Sequence, residues 1–301
     1  MARLRALGNV EIVEVDLYKP NQFRAALEGI SLLFHLAAVY SYVTTQGREH
    51  EEVVRPSVEG AENAIRAAAD AKVRKVILTS SIVTLPMTRA GARSSTEADW
   101  NEELEVPYFR AKVLAEKRAW DLARERNIDL VTILPGAICG PGFSRSTPSI
   151  DLIDAIMSGY FRAGIPNSNF PYVDVRDVAS AHALVAENDC AGRFIVCNDH
   201  FPSLSELNEK MHAIDPSVPR PMMSMPDFML PLAPFFDRLN HTFLGTPRIV
   251  TPEFIATTRG KIWNASSARI KRETGWKQSV SLEQSLKDTM NTIRKIRETG
   301  S

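Results

Sequence analysis

Apolar and polar positions alternate or cluster along the first half of the chain in a way that predicts strands and helices. Residues 10–15 alternate β-branched apolar and acidic side chains, which predicts a strand. Residues 32–38 and 76–78 are continuous apolar runs, as expected for strands covered on both faces of a sheet. Between those runs, the alanine-rich residues 58–70 predict a helix. The repeated order of strand, helix and strand predicts right-handed crossovers and a parallel sheet.

The second half continues the same alternation of elements. Strong helix formers follow Tyr108, and residues 128–135 form another buried-strand pattern. Further strands are predicted at residues 172–175 and 193–197, and a long amphipathic helix is predicted to start at Ser281. We therefore expect an α/β fold built on a doubly wound parallel sheet, with a smaller C-terminal lobe.

Composition excludes several classes of protein. Lys plus Arg and Asp plus Glu are both 36 in 301 residues, so the basic excess of a nucleic-acid-binding surface is absent. No apolar run approaches the length of a membrane span, and the N-terminal residues lack a signal-peptide core. The three cysteines, Cys139, Cys190 and Cys197, are too few and too unevenly spaced for a disulfide framework or a zinc site. Reduced core cysteines, no metal and a cytoplasmic location are the expectation.

Candidate chemistry lies at Ser81, Tyr108 and Lys112. The strand near residue 78 ends in three hydroxyl residues, of which Ser81 is the last, at the sheet edge where open α/β folds place ligands. Tyr108 and Lys112 are four residues apart and share one helical face. A nearby ammonium would lower the pKa of the phenol and suit Tyr108 to acid or base catalysis, while Ser81 would hold a carbonyl oxygen. Without other evidence, a Tyr and a Lys four residues apart are more often ordinary residues on the surface of a helix.

The stretch at residues 216–252 is rich in Pro, Met and Phe. Two interpretations stay open: a hydrophobic wall or lid over a small-molecule pocket, or a segment that packs beneath the second lobe. Together with the loops after Ala38 and Gly142, its apolar character favours a hydrophobic or aromatic carbonyl compound as the small-molecule substrate.

A dozen short motifs fall in a familiar order along nearly the whole chain. They include Phe-His-Leu-Ala-Ala at 34–38, Leu-Thr-Ser-Ser at 78–81, Glu-Ala-Asp-Trp at 97–100, Tyr108 through Trp120, Leu-Pro at 134–135, and residues 172–182. In this order the chain resembles the extended short-chain dehydrogenase/reductases of the NAD-dependent epimerase/dehydratase superfamily. The resemblance is strongest to the dihydroflavonol reductase and cinnamoyl-CoA reductase branch. It implies that Tyr108 and Lys112 are site residues and not ordinary surface positions.

The resemblance implies NAD(P)H-dependent reduction of a hydrophobic aldehyde or ketone. Tyr108 would protonate the substrate oxygen, Ser81 would polarise the carbonyl, and Lys112 would lower the phenol pKa and bind the nicotinamide ribose. The positions that match cofactor-binding residues of the family are Asp16, Leu17, Leu36, Ala37, Ala38, Thr79, Ser80, Tyr108, Lys112, Pro135, Gly136 and Ile138. Those that would face substrate are Tyr40, Tyr42, Ser144 and Ser146.

The same resemblance implies how the chain is divided and assembled. Residues 1–165 would form an N-terminally incomplete, Rossmann-like dinucleotide-binding core. Residues 166–301 would form a mixed segment that adds to the core at about 170–200 and supplies the substrate lobe. The helices after Ser57 and Tyr108 would form the contact of a homodimer.

One family feature is missing from the sequence. No Gly-x-x-Gly-x-x-Gly occurs in the chain, so the glycine-rich turn that approaches the cofactor pyrophosphate has no counterpart. Three explanations stay open. The chain is a fragment or has a misassigned start; it is rearranged so that residues 10–15 pair with residues 32–37; or it is a cofactor-free scaffold. In the last case it would be a binding protein or a hydrolase with Ser81 as nucleophile. A sugar-nucleotide epimerase or dehydratase is a further alternative.

Overall fold

The computed structural model describes residues 2–42, 44–244 and 250–299. The helices are α1 Ala2–Arg5, α2 Pro20–Ala26, α3 Arg55–Asp70, α4 Pro107–Arg126, α5 Pro148–Met157, α6 Val175–Glu187, α7 Leu204–Ile214, α8 Ala233–Leu244, α9 Pro252–Thr258, α10 Ala268–Thr274 and α11 Leu282–Thr299. The strands are β1 Leu32–His35, β2 Lys75–Thr79, β3 Asp129–Pro135, β4 Ala137–Cys139, β5 Ile165–Pro166, β6 Tyr172–Asp174, β7 Gly192–Val196 and β8 Ser224–Met225. A π-helical turn, His50–Val54, leads into α3, and 3-10 turns cover Ile82–Thr84 and Asp227–Leu232.

The central sheet has four parallel strands in the order β1-β2-β3-β7. Leu33 lies opposite Val76, and Ile77 lies opposite Val131. All four strands run in the same direction, so their carboxyl ends meet at one edge. The predicted parallel α/β sheet is confirmed.

Helices cover both faces of this sheet. Val76 of β2 packs with Ile65 of α3 and Leu122 of α4 on one face. Ile77, the next residue in β2, points to the other face and packs with Val185 of α6 and Trp276. Successive strand residues therefore enter different hydrophobic cores, as in a doubly wound fold.

Lys75 joins the start of β2 to the end of α6. Its side chain is buried, and its ammonium donates hydrogen bonds to the carbonyl oxygens of Val185, Asn188 and Cys190 at 3.2–3.3 Å. A cation at a helix C-terminus complements the partial negative charge of the exposed carbonyls. This contact fixes α6 on its face of the sheet.

The strand predicted at residues 10–15 is wrong. The segment has no strand hydrogen bonding, and Val10 and Val13 are exposed. Only Val15 and Leu17 pack against the core on the α3 side. A strand needs a hydrogen-bonding neighbour, and among the described residues β1 pairs only with β2. The rearranged pairing of residues 10–15 with β1 is therefore not observed.

A second hydrophobic core lies beside the sheet. It contains Ile153 of α5, Leu207 of α7 and Met290 of α11, with Tyr172 of β6 between them. Ser203 caps α7 by accepting a hydrogen bond from the Glu206 backbone N–H at 3.0 Å. The core includes residues on both sides of position 165, and the division of the chain at that point stays a prediction.

The Pro-, Met- and Phe-rich stretch has both buried and exposed apolar side chains. Leu230 is buried, whereas Phe228 and Phe235 are exposed. Asp237 accepts a hydrogen bond from Tyr160 at 2.8 Å, which attaches α8 to the second core. No helix in the described ranges is long and apolar enough to cross a bilayer.

Candidate active site

The site residues are placed by the end of β2 and the start of α4. Thr79 ends β2, and Ser81 has an extended backbone and caps the 3-10 turn that follows, accepting a hydrogen bond from the Val83 N–H at 3.3 Å. Helix α4 begins at Pro107, whose fixed backbone angle suits the first helical position. Tyr108 therefore lies in the first turn of α4, next to the carboxyl edge of the sheet.

Tyr108 is buried in a cluster of hydroxyl and aromatic groups. The Ser81 side chain is a polar neighbour of its hydroxyl. Its ring lies 5.0 Å from the Tyr40 ring and 4.9 Å from the Tyr42 ring. The structure thus brings together the predicted acid, the predicted carbonyl-binding serine and two of the predicted substrate residues.

The pKa of Tyr108 is raised well above its usual range, opposite to the expected direction. Burial is the main cause, the negative charge that Tyr40 would carry adds to it, and the polar side chain of Ser81 acts the other way. Lys112 is not among the groups that shift this pKa. Desolvation of the phenolate outweighs the charge that the four-residue spacing suggests. Tyr108 therefore keeps its proton at neutral pH.

Lys112 lies one turn farther along α4 and is also buried. Burial lowers the pKa of its ammonium to about 8, and the carboxylate of Glu116 partly opposes this shift. Across the described ranges its ammonium makes no hydrogen bond or ion pair. It borders a cavity of about 240 Å³, so a free cationic donor faces the space where a ligand fits.

This cavity lies between α3, α4 and the carboxyl ends of β1 and β2. Its lining includes six of the residues predicted to bind cofactor: Leu17, Ala37, Ala38, Thr79, Ser80 and Lys112. Gly60 and Ala61 of α3 also line it, so small side chains leave the space open. An apolar wall with one free ammonium fits the ribose and an adjoining ring of a dinucleotide.

The hydroxyls of Thr79 and Ser80 already have protein partners. The Thr79 hydroxyl is 2.8 Å from Nε2 of His182, and the Ser80 hydroxyl donates to Glu116 at 2.5 Å. His182 is held in turn by the Val178 carbonyl at 2.8 Å from Nδ1. These two residues shape the cavity wall, and their roles toward a cofactor stay predictions.

Six predicted cofactor residues lie outside the cavity lining: Tyr108, described above, and five others. Asp16 is exposed and accepts a hydrogen bond from the Tyr18 N–H at 2.9 Å, and Leu36 is exposed. Pro135 is buried at the end of β3, and Ile138 packs against the core on the α6 side. At Gly136 a Cβ atom would lie 2.1 Å from the Pro171 carbonyl oxygen. Close backbone packing is a sufficient reason for this glycine.

The predicted substrate residues divide into two groups. Tyr40 and Tyr42 contact Tyr108, and the Tyr40 hydroxyl is 2.9 Å from that of Ser149 in α5. Ser144 and Ser146 are exposed, and the Ser146 hydroxyl is hydrogen-bonded to Asp151. Tyr40 and Tyr42 are therefore better placed than Ser144 and Ser146 to contact a substrate beside Tyr108.

Three titratable residues at the cavity, Tyr18, His35 and Glu116, were not predicted as site residues. His35, expected to be a packed core histidine, is buried but lines the cavity. Burial and the nearby Lys112 charge lower the pKa of His35 to about 4, so it is neutral at pH 7. Glu116 also lines the cavity, four residues after Lys112. The repeated spacing of Tyr108, Lys112 and Glu116 is a signal from which Glu116 could have been found.

Comparison with known proteins identifies the family of the chain. The model of the NAD dependent epimerase/dehydratase family matches residues 1–197. The chain is 29% identical to an anthocyanidin reductase of Vitis vinifera, over 70% of this chain and 69% of that protein. It is 30% identical to tetraketide alpha-pyrone reductase 1 of Arabidopsis thaliana, over 72% and 68%.

Solved structures agree in fold. The crystal structure of gox2253 aligns with a TM-score of 0.79 and 27% identity, covering 95% of this chain and 85% of that one. Yeast methylglyoxal/isovaleraldehyde reductase Gre2 complexed with NADPH aligns with a TM-score of 0.69 and 20% identity, covering 98% and 87%. The expected fold class and the expected class of NAD(P)-dependent enzymes are confirmed. The chain belongs to the NAD dependent epimerase/dehydratase family, in the branch of its anthocyanidin and cinnamoyl-CoA reductase relatives.

Proposed function

We propose that this protein reduces a hydrophobic aldehyde or ketone with NAD(P)H and that Tyr108 donates the proton. The observation that carries the proposal is the meeting of Ser81 and Tyr108 at the sheet edge, one helical turn from the free ammonium of Lys112. Reductases among the curated relatives, at about 30% identity, support reduction over epimerisation.

Each residue has a role that its surroundings support. The Ser81 hydroxyl donates a hydrogen bond to the substrate carbonyl oxygen, where negative charge develops. Tyr108 then transfers the proton on its hydroxyl to that oxygen. When bound, the nicotinamide cofactor supplies the hydride that the carbonyl carbon accepts. The Lys112 ammonium holds a ribose hydroxyl of the cofactor.

The cofactor would occupy the cavity beside Lys112. Leu17, Ala37 and Ala38 give its apolar wall, and Lys112 gives its free donor. The sequence has no glycine-rich Gly-x-x-Gly-x-x-Gly turn for the pyrophosphate. We therefore propose weaker dinucleotide binding for this chain than a glycine-lined turn provides.

The substrate would reach Ser81 and Tyr108 past Tyr40 and Tyr42. These rings supply apolar surface for an aromatic or aliphatic carbonyl compound. A homodimer through α3 and α4 and a cytoplasmic location complete the proposal. The three buried free thiols fit a reducing compartment, and Leu114 is exposed on α4.

The test is NADPH binding and aldehyde reduction by purified protein and by Tyr108→Phe. NADPH fluorescence should change on binding to both proteins. We expect the substitution to lower kcat by about 10²–10⁴-fold, because the ring stays and only the acid is lost. Ser81→Ala should lower kcat by roughly 10²–10³-fold through loss of the carbonyl donor.

Two results would reject the proposal. One is the absence of any NADPH-dependent fluorescence change up to millimolar cofactor. The other is ester cleavage without cofactor that disappears in Ser81→Ala, which would identify a hydrolase instead.

A further inference from the structure

The carboxylate of Glu116 is the centre of a buried polar network behind the site. Glu116 is 1% exposed. One of its oxygens accepts hydrogen bonds from the Thr132 hydroxyl and from Nε of Arg193, both at 2.8 Å, and the other accepts the Ser80 hydroxyl at 2.5 Å. The network therefore joins α4 to three neighbouring strands, β2, β3 and β7.

The guanidinium of Arg193 has further partners on the side away from this carboxylate. Its guanidinium donates to the backbone carbonyls of Glu97 at 2.8 Å and Asp99 at 2.7 Å, and to the Thr84 hydroxyl at 2.8 Å. It also stacks 3.8 Å from the centre of the Trp100 ring. Arg193 thus holds the segment after Ser81 to the sheet, and each of its three guanidinium nitrogens donates at least one hydrogen bond.

A buried ion pair of this kind is a costly way to stabilise a fold. The desolvation of both charges offsets most of their attraction, and an apolar replacement is often equally stable. The position of Glu116 suggests a different use. It lies four residues after Lys112 on the same helical face and lines the same cavity, while Ser80 precedes the carbonyl-binding Ser81.

We propose that Glu116 is a positioning residue of the reductase site. Its carboxylate fixes the end of β2 that carries Ser81 against α4, and its charge keeps Lys112 in the ammonium form. The catalytic consequence rests on the function proposed above, but the effect on Lys112 does not. Loss of the Glu116 charge would shift Lys112 toward the neutral amine near neutral pH, and the proposed ribose-binding group would lose its positive charge.

Few other groups around Lys112 change charge near its titration. Tyr18 and His35 line the same cavity from the loop before α2 and from β1, and Tyr108 lies one turn earlier on α4. The pKa of His35 is about 4, and those of Tyr18 and Tyr108 are raised above their usual value. All three are therefore neutral near pH 8. Arg193, bonded to Glu116, is the other fixed charge of the network.

The first experiment measures the Lys112 titration in the protein without cofactor. Lysines labelled with ¹³C at Cε are titrated by NMR, and the Lys112 signal is identified by its absence in Lys112→Arg. We expect a midpoint of about 8 in the parent protein. In Glu116→Gln the midpoint should fall by about one pH unit or more, because an opposite charge is removed.

The single substitution leaves the buried Arg193 guanidinium without its counter-charge, which can prevent folding. A second variant therefore removes this charge as well. Glu116→Gln/Arg193→Gln removes both charges of the pair, and its midpoint should also fall below the parent value. An unchanged midpoint in whichever of the two variants folds overturns the charge role. This readout stays valid even if the protein proves not to be a reductase.

The second experiment separates position from charge. Ser80→Ala releases the end of β2 but leaves the Glu116–Arg193 pair in place. We expect kcat to fall by about tenfold through misplacement of Ser81. The Lys112 midpoint should stay at its parent value. A parental kcat in Ser80→Ala overturns the positioning role, and a shifted midpoint overturns the assignment of the charge effect to Glu116 alone.

Discussion

The ring of Tyr40 lies 5.0 Å from that of Tyr108, tilted by 33°, and its hydroxyl is 2.9 Å from that of Ser149. Tyr40, in the loop after β1, therefore contacts the proposed proton donor through its ring and α5 through its hydroxyl. Tyr40 occupies space next to the acid that a substrate ring would otherwise use. This contact makes Tyr40 a candidate for setting substrate size.

Replacement of Tyr40 by alanine should widen the range of accepted substrates. We expect kcat/KM for a two-ring aromatic aldehyde, relative to a short aliphatic aldehyde, to rise by about tenfold, because the vacated ring volume admits the larger group. Steady-state kinetics with both aldehydes gives the ratio. Tyr40→Phe is the matched control, since it keeps the ring and loses only the bond to Ser149. An equal ratio in Tyr40→Ala and the parent protein would contradict a role in size selection.

Because Lys112 is buried, the free energy of unfolding should vary with pH in the alkaline range. Its pKa of about 8 in the folded protein is below the ordinary 10.5, so the unfolded chain binds more protons between these values. The free energy of unfolding should therefore rise with pH across that window. Lys112→Met should be more stable than the parent at pH 7, by on the order of a few kcal/mol, and this gain should shrink toward pH 10. Urea unfolding at both pH values measures it.

Lys277→Met is the control for the Lys112 prediction, because Lys277 is exposed. Its free energy of unfolding should follow that of the parent at both pH values. A Lys112→Met variant with the same pH dependence as the parent would show that Lys112 is not the titrating group.

Removal of the Lys75 ammonium should destabilise the fold. Lys75→Met keeps the length of the side chain but leaves the carbonyls of Val185, Asn188 and Cys190 without their shared donor. We expect a loss of about 1–3 kcal/mol in the free energy of unfolding, measured by urea denaturation. Arg74→Met, at the exposed neighbouring position, should change stability by less than about 0.5 kcal/mol. Equal effects of the two substitutions would contradict the proposed link to α6.

The three cysteines should resist thiol reagents in the folded protein. All are buried, and burial raises the pKa of Cys197 to about 12 and raises the pKa values of Cys139 and Cys190 as well. Because the thiolate is the reactive form, Ellman's reagent should react slowly until the chain unfolds and then release three equivalents. Fast reaction of any cysteine in the folded protein would contradict this.

Hydrophobic patterning was sufficient to predict the central strands. The continuous apolar runs at β2 and β3 appear as predicted, because strands covered on both faces carry their own signal. Residues 10–15 carry an equally clear alternating pattern and form no strand. Pairing depends on a neighbour that is remote in the sequence, and a local pattern does not report it.

Residue spacing predicted which groups meet in the site but not their electrostatics. The sequence places Tyr108 and Lys112 on one helical face, and the structure adds the neighbouring Ser81 hydroxyl. The predicted lowering of the Tyr108 pKa is wrong because the shift is dominated by burial. That burial depends on how Tyr40 and Tyr42 pack around the Tyr108 ring, which the sequence does not report. The four-residue spacing points to Glu116 but not to its hydrogen-bond network, because its partners Ser80, Thr132 and Arg193 are far apart along the chain.

Strand β1 has one further consequence for the behaviour of the protein. Within the described ranges its hydrogen bonds go to β2 alone, and Phe34 and Leu36 are exposed beside its other edge. A bare strand edge with apolar neighbours can accept a strand from another chain. Self-association of the protein should therefore increase with its concentration, because each encounter between copies offers β1 a second strand partner.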